Sequence, residues 1–541
     1  MKRKMKRVVI TCSSFLLCIL MVLQLTACSK AESQTGSSAS AENERIKLTF
    51  WTGLGNKVAE QLKTWDEIEC WKEIENKFNV DFEFIHPPVG QETENFNLMI
   101  ATNTLPDIIN SGWRDFQGGG PNKAIKDGII LDLTSLMQEH APNYMALLKE
   151  NPEWKRQAVT DEGVYYNFPY IFQSRLANSF IGFQIRQDWL DKLNLKMPEN
   201  IDDWYKVLTA FKNGDPNGNG KNDEIPFVPS KSHNSLRHFK MAFGLSEYFD
   251  GFFLDKDKKV QYSYLQPQYK DYLQTMKKWY AEGLIDPEYI SIDNKVLTSK
   301  MTSDQVGATY AGYGMGFLGN WTSIMKNEKK DENFFLVGTP FPKAPDGNAY
   351  GFSDTFVTGS GAAISTSCKN QERAVEILDY LYSPEGHLLV NFGTPDKVYS
   401  MVDGKPEYKK DELLKQEPGL SIDSILVKYG MACQGGPFVQ DEAYSRMVAS
   451  TYLGQKIAAE NYMKASIDWM IPPVTPTMSE TSELSAIIND AKTLMEEYEA
   501  KVIMGIESID KLPVMVDNLQ KLKIQRAIDI KQQAVDRYYK R

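Results

Sequence analysis

The sequence predicts an α/β fold divided into two lobes, with a helical C-terminal part. In the N-terminal region, runs in which apolar residues alternate are separated by runs with apolar residues at helical spacing, which predicts alternating strands and helices. About 510 residues follow the N-terminal leader, more than one hydrophobic core usually organises. Past residue 385 the apolar spacing is mostly helical. The first elements are predicted at 47–51, 65–78, 80–85, 95–102 and 105–110.

The N-terminus has the layout of a secretory signal. Five basic residues occur among the first seven and no charged residue occurs from 8 to 25, which predicts a signal peptide over 1–27. The step Leu25-Thr26-Ala27-Cys28 resembles the bacterial lipobox, which implies that Cys28 is lipidated and becomes the new N-terminus. Residues 28–44 are then a lipidated flexible tether, because they are rich in Ser and Ala and lack large apolar residues. The alternative is an uncleaved membrane anchor, since the apolar run is nearly long enough to cross a bilayer.

Net charge and cysteine content exclude several partners and cofactors. The signal carries five positive charges, so its removal changes the formal net charge from −10 to −15. A nucleic-acid partner is not expected, because phosphate binding requires a basic surface. The cysteines outside the signal and the lipobox are Cys70, Cys368 and Cys433. An odd count at wide spacing predicts buried thiols rather than a disulfide framework or a zinc site.

The run from Asp215 to Glu224 has the spacing of a cation-binding loop. Oxygen-bearing side chains occupy its positions one, three, five, nine and ten, and glycine occupies position six. Calcium takes roughly six to eight oxygen ligands, and glycine at position six permits the sharp turn of such loops. Pro226 stands where a twelfth-position glutamate is usual, so Glu224 is expected to supply the closing carboxylate. The alternative is a polar Asn-Gly turn that binds no metal.

Several motifs along the chain resemble the family of extracellular solute-binding proteins, carbohydrate type (family 1), that serve ABC importers. The motifs are the strand at 47–51, Leu105-Pro106-Asp107 with Trp113 after it, and the segments at 182–190, 198–204 and 374–386.

This resemblance implies a two-lobed periplasmic-binding-protein-like fold (type II), in which each lobe is a mixed sheet flanked by helices. Lobe 1 is expected to comprise 45–170 plus 350–402, and lobe 2 to comprise 171–349 plus 403–541. The implied function is that of a monomeric, membrane-tethered protein on the extracellular side, without enzymatic activity. Its partners would be an oligosaccharide and the ABC permease subunits in the membrane.

The resemblance also implies ligands for a structural calcium ion in the 215–224 loop. Alginate-binding members of the resembled family hold calcium in a loop of this form. The implied ligands are the side chains of Asp215, Asn217, Asn219, Asp223 and Glu224 and the backbone carbonyl of Lys221.

Candidate solute-binding residues follow from the chemistry of a sugar, whose C–H faces stack on aromatic rings and whose hydroxyls bind polar groups. Ligands of open α/β sheets bind beyond the carboxyl ends of the strands, and other candidates lie in later loops and strand ends. Most tryptophans, Trp65 and Trp71 among them, are expected in the core because they lie on apolar helical faces. Arg186 has an alternative role as a structural ion pair with Asp188. The candidates are Trp51, Asn110, Ser111, Trp113, Arg186, Tyr313, Trp321 and Asp354.

Two other functional classes remain open at this stage. A secreted enzyme acting on polysaccharide would need two carboxylates across a cleft, and nothing in the sequence identifies such a pair. The chain contains neither a Gly-x-Ser-x-Gly elbow nor His-Glu-x-x-His spacing. A lipoprotein that serves as a sensor or scaffold component would need only the lipobox. A decrease in the radius of gyration on binding an oligosaccharide would distinguish a two-lobed solute-binding protein from both of these classes.

Overall fold

The structure is a computed structural model that describes residues 45–116, 119–230, 235–245, 250–314, 316–417 and 420–541. The predicted signal peptide at 1–27, the lipidation site Cys28 and the tether up to residue 44 lie outside the described residues.

The strands fall into two main sheets and two small hairpins. In chain order they are β1 (Ile46–Trp51), β2 (Val80–Ile85), β3 (Ile108–Gly112), β4 (Phe168–Phe172), β5 (Ile181–Arg186), β6 (Ile225–Phe227), β7 (Phe252–Leu254), β8 (Val260–Tyr262), β9 (Val306–Gly312), β10 (Leu336–Gly338), β11 (Val357–Ile364), β12 (Tyr399–Val402), β13 (Lys405–Tyr408) and β14 (Val439–Gln440).

The first sheet has six strands in the order β14-β4-β11-β3-β1-β2. Strand β1 is parallel to β2 and β3, whereas β11 is antiparallel to β3 and β4. The second sheet has four strands in the order β10-β5-β9-β6, with β5 antiparallel to both of its neighbours and β6 parallel to β9. Both sheets are therefore mixed, and the predicted fold class is confirmed.

Helices cover both sheets and dominate the C-terminal part. They are α1 (Asn56–Gln61), α2 (Glu69–Phe78), α3 (Glu92–Thr102), α4 (Gly120–Lys126), α5 (Thr134–His140), α6 (Pro142–Glu150), α7 (Pro152–Ala158), α8 (Arg175–Asn178), α9 (Gln187–Lys192), α10 (Ile201–Asn213), α11 (Gln268–Ala281), α12 (Asn294–Thr302), α13 (Leu318–Ser323), α14 (Gln371–Tyr380), α15 (Pro384–Phe392), α16 (Lys410–Gln416), α17 (Ile422–Leu426), α18 (Glu442–Ala449), α19 (Leu453–Met463), α20 (Met478–Ile503), α21 (Leu512–Lys521) and α22 (Ile524–Tyr538).

The helix predicted at 65–78 is interrupted. A short 3₁₀ segment covers Trp65–Glu67, Ile68 is extended, and α2 begins only at Glu69. Trp65 and Trp71 nevertheless stack on each other with ring centroids 5.7 Å apart, and both pack edge-on against Phe50 of β1. The apolar spacing therefore predicted correctly that both rings reach the core of the first sheet.

The second sheet has its own core, which the C-terminal helices extend. Phe239 lies at its centre, with ring centroids 4.6 Å from Phe183, 5.3 Å from Trp204 and 5.1 Å from Trp279. Apolar residues of α20 and α22 belong to the same buried cluster. The C-terminal part is thus helical, as its apolar spacing predicts, and its helices pack on the core of the second sheet.

Within the described ranges the chain passes from the first sheet to the second after β4 and back before β11, and after β14 it passes to the helices that pack on the core of the second sheet. The Asp354 N–H donates to the Asn178 carbonyl at 2.8 Å, and Asn178 Nδ2 donates to the Asp354 carbonyl at 2.9 Å. The Gln173 N–H donates to the Gln440 carbonyl at 3.2 Å, and the Glu442 N–H donates to Gln173 Oε1 at 2.8 Å. The three crossing segments are therefore tied together by hydrogen bonds.

The lobe boundaries stay predictions. Two short strands, β4 and β14, do not follow the predicted division of the chain. Strand β4 continues past the boundary predicted at 170. Strand β14 pairs with β4 in the first sheet, although the sequence assigns 403–541 to lobe 2. A strand of two residues has no apolar periodicity that a sequence pattern can reveal.

In the part of the chain that the structure describes, no helix combines the length and the apolar character needed to cross a membrane.

Candidate ligand-binding cavity and cation loop

A cavity of about 610 Å³ lies at the carboxyl ends of β1 and β3. Its volume falls in the range of small-molecule sites. The residues that line it come from β4 and from four other stretches of the chain, at 52–65, 110–112, 354–360 and 433–436. They are Thr52, Gly53, Gly55, Lys57, Trp65, Asn110, Ser111, Gly112, Tyr170, Phe172, Asp354, Thr358, Ser360, Cys433, Gln434, Gly435 and Gly436.

Asp354 is the carboxylate that lines this cavity, and the crossing segments fix its backbone. Its Oδ1 accepts a hydrogen bond from the Thr355 N–H at 2.9 Å. Burial raises the pKa of the Asp354 carboxyl, although the Thr355 N–H and the Arg114 guanidinium oppose this effect. On the opposite strand ends, Asn110 Nδ2 donates to Thr52 Oγ1 at 3.0 Å. The cavity thus places a carboxylate and an amide among hydroxyl groups.

A second buried carboxyl, that of Asp423, lies next to the cavity-lining residue Cys433, and no sequence motif indicates it. Tyr444 donates its hydroxyl hydrogen to Asp423 Oδ1 at 3.0 Å, and burial raises the pKa of Asp423 to about 6. The Cys433 thiol lies 3.9 Å from the Asp423 carbonyl oxygen. Burial raises the pKa of this thiol well above its ordinary value.

The three cysteines are free, as the sequence predicts. Cys70 and Cys368 are buried, but Cys433 is only partly buried because it lines the cavity.

Three of the eight predicted solute-binding residues line the cavity, namely Asn110, Ser111 and Asp354. The 433–436 stretch was not among the predicted residues. Its Gln-Gly-Gly run predicts a loop, but the same pattern occurs in many turns that bind no ligand.

The predicted tryptophans lie in apolar cores instead, because large rings gain most from full burial. Trp51 and Trp113 pack against Phe96, with ring centroids 5.6 and 5.7 Å away. Trp113 Nε1 donates to the Ile109 carbonyl at 3.1 Å, and Trp321 Nε1 donates to Thr298 Oγ1 at 3.0 Å. The expectation that these rings stack on a ligand finds no support in their placement.

Tyr313 and Arg186 are also engaged within the protein. The Tyr313 hydroxyl donates to the Leu176 carbonyl at 3.1 Å. Arg186 donates to both carboxylate oxygens of Asp188, at 2.9 and 2.5 Å, and also pairs with Asp304. Only 2% of the Arg186 side chain is exposed. The alternative role as a structural ion pair with Asp188 is therefore the one that the geometry supports.

The 215–224 loop forms a tight turn through local hydrogen bonds. Asn217 Oδ1 accepts from the Asn219 N–H at 3.0 Å, and Asn219 Oδ1 accepts from the Lys221 N–H at 2.8 Å. Asp215 Oδ2 accepts from the Gly220 N–H at 3.2 Å. Gly220 has a φ of 73°, which a residue with a side chain rarely adopts, and this explains the glycine at position six.

Several oxygens of the loop have no hydrogen-bond partner among the residues that the structure describes. Both carboxylate oxygens of Glu224 and Oδ1 of Asp215 are buried without one. Burial raises the pKa of Glu224, and the nearby Asp215 and Asp223 carboxylates raise it further. Buried carboxylate oxygens are normally paired or bound to a cation, so the donor set of this loop fits a hard cation.

Among the described residues, no three His, Cys, Asp or Glu side chains are grouped closely enough to hold a metal ion. The predicted ligand set of the loop also includes asparagine and backbone oxygens, which are outside these four residue types. Asn217 and Asn219 turn their amide nitrogens toward Asp223 Oδ1, at 3.3 and 2.9 Å.

The family model of bacterial extracellular solute-binding proteins matches residues 56–387. The chain belongs to this family. The predicted resemblance to extracellular solute-binding proteins is thereby confirmed.

Individual relatives agree with the family assignment. The fructooligosaccharide ABC transporter substrate-binding protein FusA of Streptococcus pneumoniae serotype 4 (strain ATCC BAA-334 / TIGR4) is 31% identical over 311 residues. That alignment covers 56% of this chain and 55% of FusA, so this chain spans about half the length of that relative.

Two solved structures share the fold across nearly the whole chain. The alginate-binding protein AlgQ2 without calcium ion has a TM-score of 0.74 at 24% identity, covering 93% of this chain and 100% of AlgQ2. The S. pneumoniae FusA EF-hand mutant in complex with fructo-nystose has a TM-score of 0.72 at 23% identity, covering 91% of this chain and 99% of that protein.

Proposed function

We propose that this protein is a lipid-anchored extracellular solute-binding protein that delivers an oligosaccharide to an ABC transporter. The observation that carries the proposal is the polar cavity at the strand ends of the first sheet. One of its polar residues, Asp354, sits on a segment that crosses between the sheets. A ligand held by Asp354 therefore acts directly on the segments about which the lobes would move.

The composition of the cavity suits a sugar. Asn110, Ser111 and Asp354 offer donors and acceptors for hydroxyl groups, and the Tyr170 and Phe172 rings offer apolar surface for C–H faces. The names of the relatives support a carbohydrate, since they include fructooligosaccharide-, fructo-nystose- and alginate-binding proteins. All of these are named as binding proteins, which supports a role without enzymatic activity.

The proposed mechanism is a shift between open and closed arrangements of the two lobes. A solute drives this shift only through contacts that it makes better in the closed arrangement. The hydrogen bonds between Asp354 and Asn178 keep the binding residue in register with the crossing segments while the lobes move. The closed protein would then present the solute to membrane permease subunits, and it would act as a monomer.

Two further features complete the proposal. Cys28 would carry the lipid that tethers the chain to the cell membrane on its extracellular side. Calcium would bind in the 215–224 loop, where its positive charge would compensate the carboxylates that lack partners. The loop's ligands would be Asp215, Asn217, Asn219, Asp223 and Glu224, with the carbonyl of Lys221.

Titration calorimetry on the purified full chain tests the proposed function. The panel contains kestose, nystose, maltotriose and trigalacturonate, and small-angle scattering follows the radius of gyration at saturation. Binding of at least one sugar with a smaller radius of gyration is expected. Heat from no member of the panel, or binding with an unchanged radius, would contradict the proposal, and turnover of a sugar would favour an enzyme.

A further inference from the structure

Trp65 is the tryptophan that both packs in the core and reaches the cavity. Its side chain is 1% exposed, yet the residue is part of the cavity lining. Its indole Nε1 is buried and has no hydrogen-bond partner in the described part of the chain. A buried N–H group is normally paired, so the indole of a residue that lines the cavity is left without an acceptor.

Trp71 provides an internal comparison for Trp65. The two rings stack with centroids 5.7 Å apart and planes 19° apart, and each is 1% exposed. Trp71 Nε1 also lacks a partner, but Trp71 does not line the cavity. An unpaired indole N–H therefore does not by itself identify a binding residue, and the position of Trp65 in the wall distinguishes the two.

A polar clip holds the Trp65 backbone against the cavity wall. The Trp65 N–H donates to His86 Nε2 at 3.1 Å, and His86 Nδ1 lies 2.9 Å from the Thr52 carbonyl oxygen. Because Nε2 accepts, Nδ1 carries the proton and donates to Thr52. Thr52 in turn receives the Asn110 amide hydrogen bond. Three residues of the cavity lining, Thr52, Trp65 and Asn110, are thereby linked through one imidazole.

The same cavity contains an acceptor without a partner. Gln434 Oε1 is buried and has no hydrogen-bond partner within the described ranges, and Gln434 lines the cavity together with Trp65. A sugar hydroxyl both donates and accepts. A donor on Trp65 and an acceptor on Gln434 therefore match the two hydrogen-bonding capacities of hydroxyl groups.

We propose that Trp65 is a solute-binding residue whose indole N–H donates a hydrogen bond to a ligand oxygen, with His86 as the residue that positions it. Gln434 Oε1 accepts from a ligand hydroxyl in the same part of the cavity. This inference rests on the proposed function and adds to it the residues that recognise hydroxyl groups. It predicts that the stacked neighbour Trp71 contributes to stability alone.

Paired substitutions in the full chain test the inference. Trp65→Phe removes the indole N–H but keeps an aromatic ring, and Trp71→Phe makes the same change one ring further from the cavity. Calorimetry uses whichever sugar of the panel binds the unmodified protein most tightly. Trp65→Phe is expected to weaken binding about tenfold, as for a lost hydrogen bond, whereas Trp71→Phe leaves affinity unchanged. Equal affinities for the two variants would overturn the inference.

A spectroscopic measurement separates lost contact from a disturbed fold. In protein labelled with ¹⁵N-tryptophan, the Trp65 indole signal is the one that disappears in Trp65→Phe. Addition of the sugar should shift this signal downfield, and the signal missing from Trp71→Phe should move less. An unmoved Trp65 signal with bound sugar would reject the inference while leaving the proposed function intact. If the unmodified protein binds no sugar, the proposed function itself fails.

Discussion

The cavity and the 215–224 loop both present oxygen groups that lack partners, but the chain builds them differently. The loop is one continuous run whose hydrogen bonds join residues two to six positions apart. The cavity draws Asn110, Asp354 and Gln434 from stretches that lie between 80 and 324 residues apart in the sequence. Local spacing can therefore reveal the loop, whereas only the order of the strands brings the cavity together.

The loop also differs from the cavity in what surrounds it. Asn217 Nδ2 donates to the Asp304 carbonyl at 3.1 Å, and the Asp304 carboxylate pairs with Arg186. The Arg186 guanidinium lies 4.7 Å from the Trp189 ring centre and 4.5 Å from that of Phe334. The loop is thus hydrogen-bonded to a residue that pairs with the buried Arg186. Substitutions in the loop or at Arg186 should therefore lower stability and leave sugar affinity unchanged.

The largest effect is expected from Arg186→Met. It leaves the Asp188 and Asp304 carboxylates without their cation, and breaking a buried pair in this way typically costs about 3 kcal/mol. Chemical denaturation should show this loss in the free energy of unfolding, and calorimetry should show unchanged sugar affinity. Lys343→Met is the control, because its pair with Glu199 is exposed and worth under about 1 kcal/mol. If Arg186→Met lowered sugar affinity without lowering the free energy of unfolding, Arg186 would be a solute-binding residue instead.

Removal of calcium should have the next largest effect. At a calcium concentration about 100 times the dissociation constant, binding stabilises the folded state by about 2.7 kcal/mol. A chelator should therefore lower the melting temperature by several degrees, and Glu224→Gln should abolish most of this difference.

Asp255→Asn is the matched control for the calcium experiment. The Asp255 carboxylate also lies in a tight turn, but its Oδ1 accepts from the Asp257 and Lys259 N–H groups, each at 2.9 Å. Its variant should keep the full response to chelator. A melting temperature that chelator leaves unchanged in the unmodified protein would show that the loop is a polar turn.

These contrasts explain how much of the molecule the sequence predicts. The strand at 80–85 follows directly from periodicity, and so does the helix that apolar spacing predicts over 201–212, whose cap Asn200 accepts from the Asp202 and Asp203 N–H groups in the structure. Apolar spacing also predicts one helix over 514–539, but the structure has two, since Lys523 adopts a left-handed φ of 63° between α21 and α22.

The candidate site was less predictable, for a physical reason. Trp51 and Trp113 stand at strand ends, and the sequence alone does not show that α3 brings Phe96 over them. The apolar helical spacing of Trp65 predicts a core position, and the residue is indeed buried. The same spacing does not indicate that Trp65 also lines the cavity. Asn110 and Ser111 near the end of β3 were predicted because ligands of such sheets bind beyond the carboxyl ends of the strands.

Asp354→Asn tests the cavity side of the comparison. A hydrogen bond to a charged group is worth about 1.5–3 kcal/mol, so sugar affinity should fall roughly tenfold or more. The response of the melting temperature to chelator should not change. Asp346→Asn is the control, since Asp346 Oδ1 accepts from the Asn348 N–H at 3.0 Å in a turn outside this cavity. If both variants bind sugar like the unmodified protein, Asp354 is not a ligand contact.

The smallest expected effect concerns His86 and acidic pH. Burial lowers the pKa of His86 below its ordinary value of 6.5, because the imidazolium is poorly solvated there. As the pH falls below 6.5, the unfolded chain takes up a proton that the folded state resists, so the stability present above pH 6.5 is progressively lost. Sugar affinity should fall only at lower pH, once the imidazole of the folded protein is itself protonated, because a protonated Nε2 no longer accepts from the Trp65 N–H. Other buried groups such as Asp423 titrate nearby, so the informative quantity is the difference between the unmodified protein and His86→Gln at each pH. If the stability and the sugar affinity of the two proteins change in parallel from pH 7.5 to 5, protonation of His86 does not affect the Trp65 contact.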